Sequence, residues 1–336
     1  MINLFALFAF FITLTAQQEK SIDSLWQYDQ ILGWKNAPDF SGKFPSFLGF
    51  PSFTIRINKN GFRDDVDWYD NIRHKKKVLI LGDSVCFGFG LEFKDTVGEQ
   101  LEKLLGDDFV SLNLSCVGYS TDQELILFEK EGIKYDPDFV VFCLWVNDIA
   151  GIMDSMPLEN GRGKPVFKMQ DGKLILLNVP VKDTSLFPER YNEMFSIIYG
   201  SYALEFYLGK KPSLIKRNLE YFLRRYITHR FFHLFHRKIL SEYLQLLYLI
   251  MSRANEICRT KKCKIILVLI PDYYMTAGIN KHVKKIYEMI AEKIKFVPVV
   301  YVDMDEKDFF KENLHPNSSG HKKIAEKIFS VISRFR

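Results

Sequence analysis

The sequence predicts an α/β protein, a doubly wound parallel sheet of five strands with a mostly helical insertion between the third and fourth. Three observations lead there. Short runs of nearly unbroken apolar residues recur along the chain, the pattern of strands buried on both faces of a parallel sheet. Segments of helical periodicity separate these runs, so strand and helix alternate as right-handed crossovers require. One long stretch, from about 151 to 260, breaks that rhythm and turns helical in its second half.

The elements follow in order. Leu4 to Thr15 is almost wholly apolar and then gives way to Gln17-Gln18-Glu19-Lys20. A run of about a dozen apolar residues falls short of the ~20 that cross a bilayer but fits the core of a signal peptide. Ala16 supplies the small residue at the cleavage position, although Met1-Ile2-Asn3 carries no Lys or Arg and Leu14 stands where a second small residue is usual. Residues 1–16 are thus expected to be a signal peptide or N-terminal anchor, placing the protein at the cell envelope. The alternative is an apolar terminal segment packed on the core of a cytoplasmic protein.

Residues 17–76 read as an extension laid over the main domain. They are rich in Pro, Gly, Asp and aromatics, with short alternating pieces such as Phe53-Thr54-Ile55-Arg56-Ile57. The main domain, 77–336, opens on the buried strand Lys77-Val78-Leu79-Ile80-Leu81. Further strands are expected at about Phe109–Leu114, Phe139–Leu144, Ile265–Ile270 and Val297–Val302. Helices are expected at about Thr96–Leu105, Asp122–Ile133, Lys281–Ile294 and Ser319–Ile332. The insertion belongs at the C-terminal edge of the sheet, where ligands bind in such folds.

Composition narrows the function classes. Of 336 residues, 47% are hydrophobic and 26% charged, which excludes a disordered or fibrous chain. The 46 basic and 41 acidic residues leave a net charge of +5, too small to argue for nucleic acid. Five cysteines with no C-x-x-C pair make neither a disulfide scaffold nor a zinc site.

The chemistry gathers at the strand ends. Gly82-Asp83-Ser84 follows the first buried strand directly. It is not a G-x-S-x-G nucleophile elbow, because Cys86 stands in place of the second Gly, and no Gly-Lys-Ser/Thr marks a phosphate loop. Taken alone, the tripeptide reads as a turn. Three more segments change that. Asn113-Leu114-Ser115-Cys116-Val117-Gly118-Tyr119 ends the second strand, Trp145-Val146-Asn147-Asp148 ends the third, and Glu312-Asn313-Leu314-His315-Pro316-Asn317 follows the fifth. In a parallel sheet these loops all emerge on one edge, which brings a nucleophile, two hydrogen-bond donors and a base together.

Gly82-Asp83-Ser84, Gly118, Asn147 and His315-Pro316-Asn317-Ser318-Ser319-Gly320-His321 resemble, in order, the four sequence blocks of the SGNH, or GDSL-like, hydrolases. Ile31-Leu32-Gly33-Trp34 and Asn60-Gly61-Phe62-Arg63 resemble a preface found in bacterial, often exported, members. The resemblance covers about Val78 to Ile332 but not the insertion. It implies the flavodoxin-like SGNH fold and a serine esterase in which Ser84 attacks an ester carbonyl and His315 takes its proton. It also implies an oxyanion hole formed by the amides of Ser84 and Gly118 and the side chain of Asn147. No metal or organic cofactor is implied.

Two positions depart from the pattern. Glu312 stands where an Asp usually orients the His, so either a Ser-His-Glu triad or a Ser-His dyad is open. Trp145 replaces a usual Gly and puts an indole beside the site, where it could narrow the site or stack on a sugar. The reading is a hydrolase of an acyl ester, an O-acetyl group above all, on a cell-envelope carbohydrate or a small molecule. The alternatives are an acyltransferase using the same serine and a non-catalytic envelope protein that keeps the fold for glycan binding or assembly.

Other conspicuous residues have plainer readings. His229, His233 and His236 share a helical face, but the surrounding Arg224, Arg225, Arg230 and Arg237 favour a solvated basic face over a metal site. The basic, Phe-rich stretch 210–238 reads as a cap, with contact to an anionic membrane as the alternative; the N-terminus is the other candidate for such contact. Cys86, Cys116 and Cys143 read as buried small hydrophobes, Cys258 and Cys263 as a pair that could be oxidised in an exported protein. His321 competes with His315 as base but opens the last helix, a structural position.

Overall fold

In the computed structural model the described residues are 22–46, 49–65, 67, 72–152, 163–183, 240–278, 281–311 and 315–335. Before the main sheet the chain forms two small antiparallel pairs. Strands β1 (Trp26–Asp29) and β2 (Gly33–Asn36) make one, β3 (Ser41–Phe44) and β4 (Phe53–Arg56) the other. The main sheet then begins with β5 (Lys76–Leu81), β6 (Phe109–Asn113) and β7 (Phe139–Leu144).

Between β7 and the rest lies a hairpin, β8 (Val166–Gln170) and β9 (Lys173–Leu177), joined by Asp171 and Gly172, both at positive φ. That two-residue Asp-Gly turn matches the right-handed twist of its strands. The hairpin was not expected from the insertion's sequence. Residues 184–239, including the His229/His233/His236 group and the whole basic stretch 210–238, lie outside the described residues, as does 1–16. The chain resumes in a helix over 240–261 and completes the sheet with β10 (Lys264–Leu269) and β11 (Val299–Tyr301).

The five-stranded sheet runs β11-β10-β7-β5-β6, and every pair is parallel. Its order reverses direction at β5, so the loops after β5 and β7 open on a crevice at the carboxyl edge. Alternation along the strands sends side chains to two separate cores. Leu79, Leu81, Val140, Phe142 and Leu267 pack on one face with Leu125, Phe128, Leu247, Ile250 and Ile290 from three helices. Val78, Ile80, Val141, Cys143 and Ile266 pack on the other with Leu101, Leu105, Ile324 and Ile328. Burial on both faces is why these strands read as unbroken apolar runs.

A third core belongs to the extension. Phe40, Phe44, Phe50, Phe53, Ile55 and Ile57 pack there with Phe87, which comes from the turn after β5. Among the described residues no helix is long and apolar enough to cross a membrane.

Candidate active site

The site starts with the turn after β5. Gly82 lies so close to β7 that a Cβ there would stand 2.7 Å from the Cβ of Cys86 and 3.2 Å from that of Cys143, so only glycine fits. Asp83 then caps a one-turn helix, α1 (Ser84–Phe87), by accepting a 2.9 Å hydrogen bond from the amide of Val85. Ser84 is the first residue of that turn and stands at the carboxyl end of a central strand.

His315 arrives from the far end of the chain. Its carbonyl accepts from the amide of Phe310 (2.8 Å), and Pro316 bridges to Phe309. Asn317 caps the last helix, α2 (Ser318–Ile332), and its side-chain amide donates to the carbonyls of Lys307 and Phe309. So held, His315 Nε2 lies 3.1 Å from Ser84 Oγ. In the tautomer protonated at Nδ1, Nε2 is the acceptor and the serine hydroxyl the donor. Two aromatic rings flank the imidazole, Phe50 with centroids 5.4 Å apart and Trp145 at 5.1 Å.

Asn147 is fixed through Asp83. Its Nδ2 donates to Asp83 Oδ2 at 2.9 Å, so one carboxylate both caps α1 and holds the carboxamide beside the serine turn. The second N–H of that amide then has a defined direction, because the group is planar. Gly118 sits in the loop after β6, tied to the serine turn by the Cys116 amide, which donates to the Gly82 carbonyl at 3.0 Å. Ser84 and His315 are thus joined through their side chains, Asn147 is held by the side chain of Asp83 next to Ser84, and Gly118 lies on a loop bonded to the same turn. Glu312 lies outside the described residues.

His321 is not poised as a base. It is buried, 1% exposed, with Nδ1 unpartnered among the described residues. Burial, followed by the charge of Arg63 and the neighbouring His315, lowers its pKa to about 3. The thiol of Cys86 is raised well above its ordinary value by burial and by its hydrogen bond with Cys143, which removes it as a nucleophile. Cys258 and Cys263 are free, buried thiols.

Several residues around the site have no chemical role in the sequence motifs, Arg63 among them although it closes the Asn60-Gly61-Phe62-Arg63 preface. Arg63 is fully buried, donates to the carbonyls of Gly88 (2.8 Å) and Leu91 (2.5 Å), and covers the Phe87 ring at 4.9 Å. It pins the segment that follows the serine helix. Burial, and then the carboxylates of Asp148 and Asp83, push Glu124 well above the usual carboxylate range. Nearby, Lys164 donates to Asp122 Oδ2 at 2.5 Å in a fully buried ion pair. Among the described residues no group of three or more His, Cys, Asp or Glu is arranged to hold a metal ion.

No protein-family model matches the chain, and no curated protein matches it in sequence. Solved structures similar to it include a GDSL-like lipase from Bacteroides thetaiotaomicron, 14% identical, with 78% of this chain and 89% of that one aligned at a TM-score of 0.38. A psychrotrophic esterase from Pseudoalteromonas sp. is 11% identical over 78% and 98% of the two chains, TM-score 0.40. An acetylxylan esterase from Geobacillus stearothermophilus, solved as a catalytic mutant, is 13% identical over 76% and 94%, TM-score 0.40. Likenesses this remote leave the chemistry of the site to its own residues and distances.

Proposed function

We propose that the protein is a serine ester hydrolase of the SGNH type. The observation that carries this reading is the 3.1 Å approach of Ser84 Oγ to His315 Nε2 across 231 residues of sequence. A serine hydroxyl is a weak nucleophile until a base lies within hydrogen-bond reach. Ser84 attacks the ester carbonyl as His315 Nε2 takes its proton. The negative charge that develops on the carbonyl oxygen is met by the amides of Ser84 and Gly118 and by Asn147 Nδ2. Collapse breaks the ester C–O bond, and the imidazolium returns its proton to the departing alcohol. Water repeats the sequence on the acyl-enzyme and frees Ser84. In a triad Glu312 would accept from His315 Nδ1–H and hold the tautomer this cycle needs; in a dyad a backbone carbonyl would do so.

The substrate class we favour is an O-acyl, chiefly O-acetyl, ester of a cell-envelope carbohydrate. Support comes from the indole of Trp145 beside His315, since an aromatic face suits the apolar side of a sugar ring. The apolar segment Leu4 to Thr15 supports export or anchoring at the envelope.

The test is covalent labelling. The folded protein should react with a fluorophosphonate probe and hydrolyse an aryl acetate, and Ser84→Ala should do neither. A folded protein that fails to label, beside a control serine esterase that does, would overturn the reading.

A further inference from the structure

The loop that carries Gly118 is held by the extension, and by hydrogen bonds of an informative kind. Cys116 to Tyr119 form a β-turn closed by the Tyr119 amide, which donates to the Cys116 carbonyl at 3.1 Å. Of its central residues only Gly118 has a positive φ, +80°, which makes the turn type II. Types I and II differ by rotating the central peptide through about 150–170°, with the rest of the turn unchanged. Here the central peptide is Val117–Gly118, the unit that contains the Gly118 N–H. Glycine at this position leaves the flip sterically open.

Something outside the turn must choose. The indole Nε1 of Trp34 donates to the Val117 carbonyl at 3.0 Å. In a trans peptide the C=O and N–H point in opposite directions, so fixing the Val117 oxygen aims the Gly118 N–H the other way. Trp34 is itself held. It is buried, its carbonyl accepts from Tyr119 Oη at 2.5 Å, and its ring meets that of Tyr119 edge-on, centroids 5.5 Å apart. Neighbouring bonds clamp the same two segments, Asn36 Nδ2 to the Ser115 carbonyl at 3.1 Å and Gln123 Nε2 to the Leu32 carbonyl at 2.8 Å.

We propose that Trp34 is a positioning residue for catalysis, whose indole N–H locks the Val117–Gly118 peptide in the orientation that presents the Gly118 amide to the oxyanion. The proposal rests on the esterase reading above, in which that amide stabilises the transition state. Its effect therefore belongs in kcat rather than KM, since the amide bond strengthens only as charge develops.

The experiment compares aryl acetate hydrolysis by wild type, Trp34→Phe and Tyr119→Phe, each checked for folding by circular dichroism. Wild-type turnover comes first; without it the esterase reading fails and Trp34 is not at issue. Given turnover, Trp34→Phe keeps an aromatic ring in the buried slot but loses the N–H. Its kcat should fall about 10- to 100-fold with KM within about twofold, the scale of a misaimed oxyanion donor. Tyr119→Phe, which frees the Trp34 carbonyl, should lower kcat in the same direction by less. A folded Trp34→Phe with wild-type kcat, or a loss confined to KM, overturns the proposal. If Trp34→Phe does not fold, Tyr119→Phe decides alone: a kcat loss at constant KM supports the positioning role, and wild-type kcat overturns it.

Discussion

Replacing His321 by Gln should make the protein less sensitive to mild acid, and the size of the change follows from burial. In the unfolded chain a histidine titrates near 6.5. In the fold, burial and the charges of Arg63 and His315 hold His321 at about 3. A depressed pKa on a base means that the unfolded state binds more protons between those two values, so stability rises with pH across the interval. The contribution is fully present above pH 6.5, where both states are neutral, and is lost progressively as pH falls toward 3. At pH 5 the difference amounts to about 1.5 pH units, or about 2 kcal/mol. The assay is urea unfolding followed by tryptophan fluorescence, at pH 7.5 and 5.0, for wild type and His321→Gln. Between those pH values wild type should lose about 2 kcal/mol more than the variant, with similar slopes against urea. Equal losses would refute the reasoning, because they would mean that His321 protonates without leaving its site.

Asn147→Ala should lower kcat by about 10²–10³ with little change in KM, as the loss of one oxyanion donor does; initial-rate kinetics on an aryl ester check it, and an effect on KM alone would make Asn147 a substrate-binding group. Lys164→Met strands the Asp122 carboxylate in the interior and should cost about 3–5 kcal/mol in denaturant unfolding, with much of it regained on adding Asp122→Asn. A loss below about 1 kcal/mol would mean that water reaches the pair. Glu312→Gln should reduce kcat by up to about 10⁴ if the carboxylate orients His315; a loss below about tenfold would leave Ser84 and His315 as a dyad.

The sheet was legible because its physics is local. A strand buried on both faces has no polar side to show, and all five apolar runs became strands within a residue or two of their expected ends. That the loops of Ser84, Gly118, Asn147 and His315 meet was legible for a related reason, since strand ends in a parallel sheet share an edge wherever the helices lie. The hairpin at 166–177 was missed. Its second strand, Lys173–Leu177, holds the apolar run Leu174–Leu177, yet it belongs to a two-stranded hairpin and not to the sheet, and Ile175, Leu176 and Leu177 are 38–40% exposed. Arg63 shows in the sequence only as the last residue of the Asn60-Gly61-Phe62-Arg63 preface, with no role attached, and Phe50 leaves no trace at all. The guanidinium bonds to bare carbonyls 25 and 28 positions away, and Phe50 reaches His315 from a loop. A backbone acceptor has no letter in the sequence.

Ser84 and His315 are separated by 231 positions, and Trp34 and Val117 by 83. Closing loops this long costs entropy, so these contacts are expected among the last to form. The sheet can thus acquire most of its strand pairing while the base is still adrift. Turnover then reports on completion rather than on secondary structure. During refolding from urea, far-ultraviolet dichroism would recover ahead of activity, and the lag between the two signals would time the docking of the His315 loop and α2 onto the strand edge.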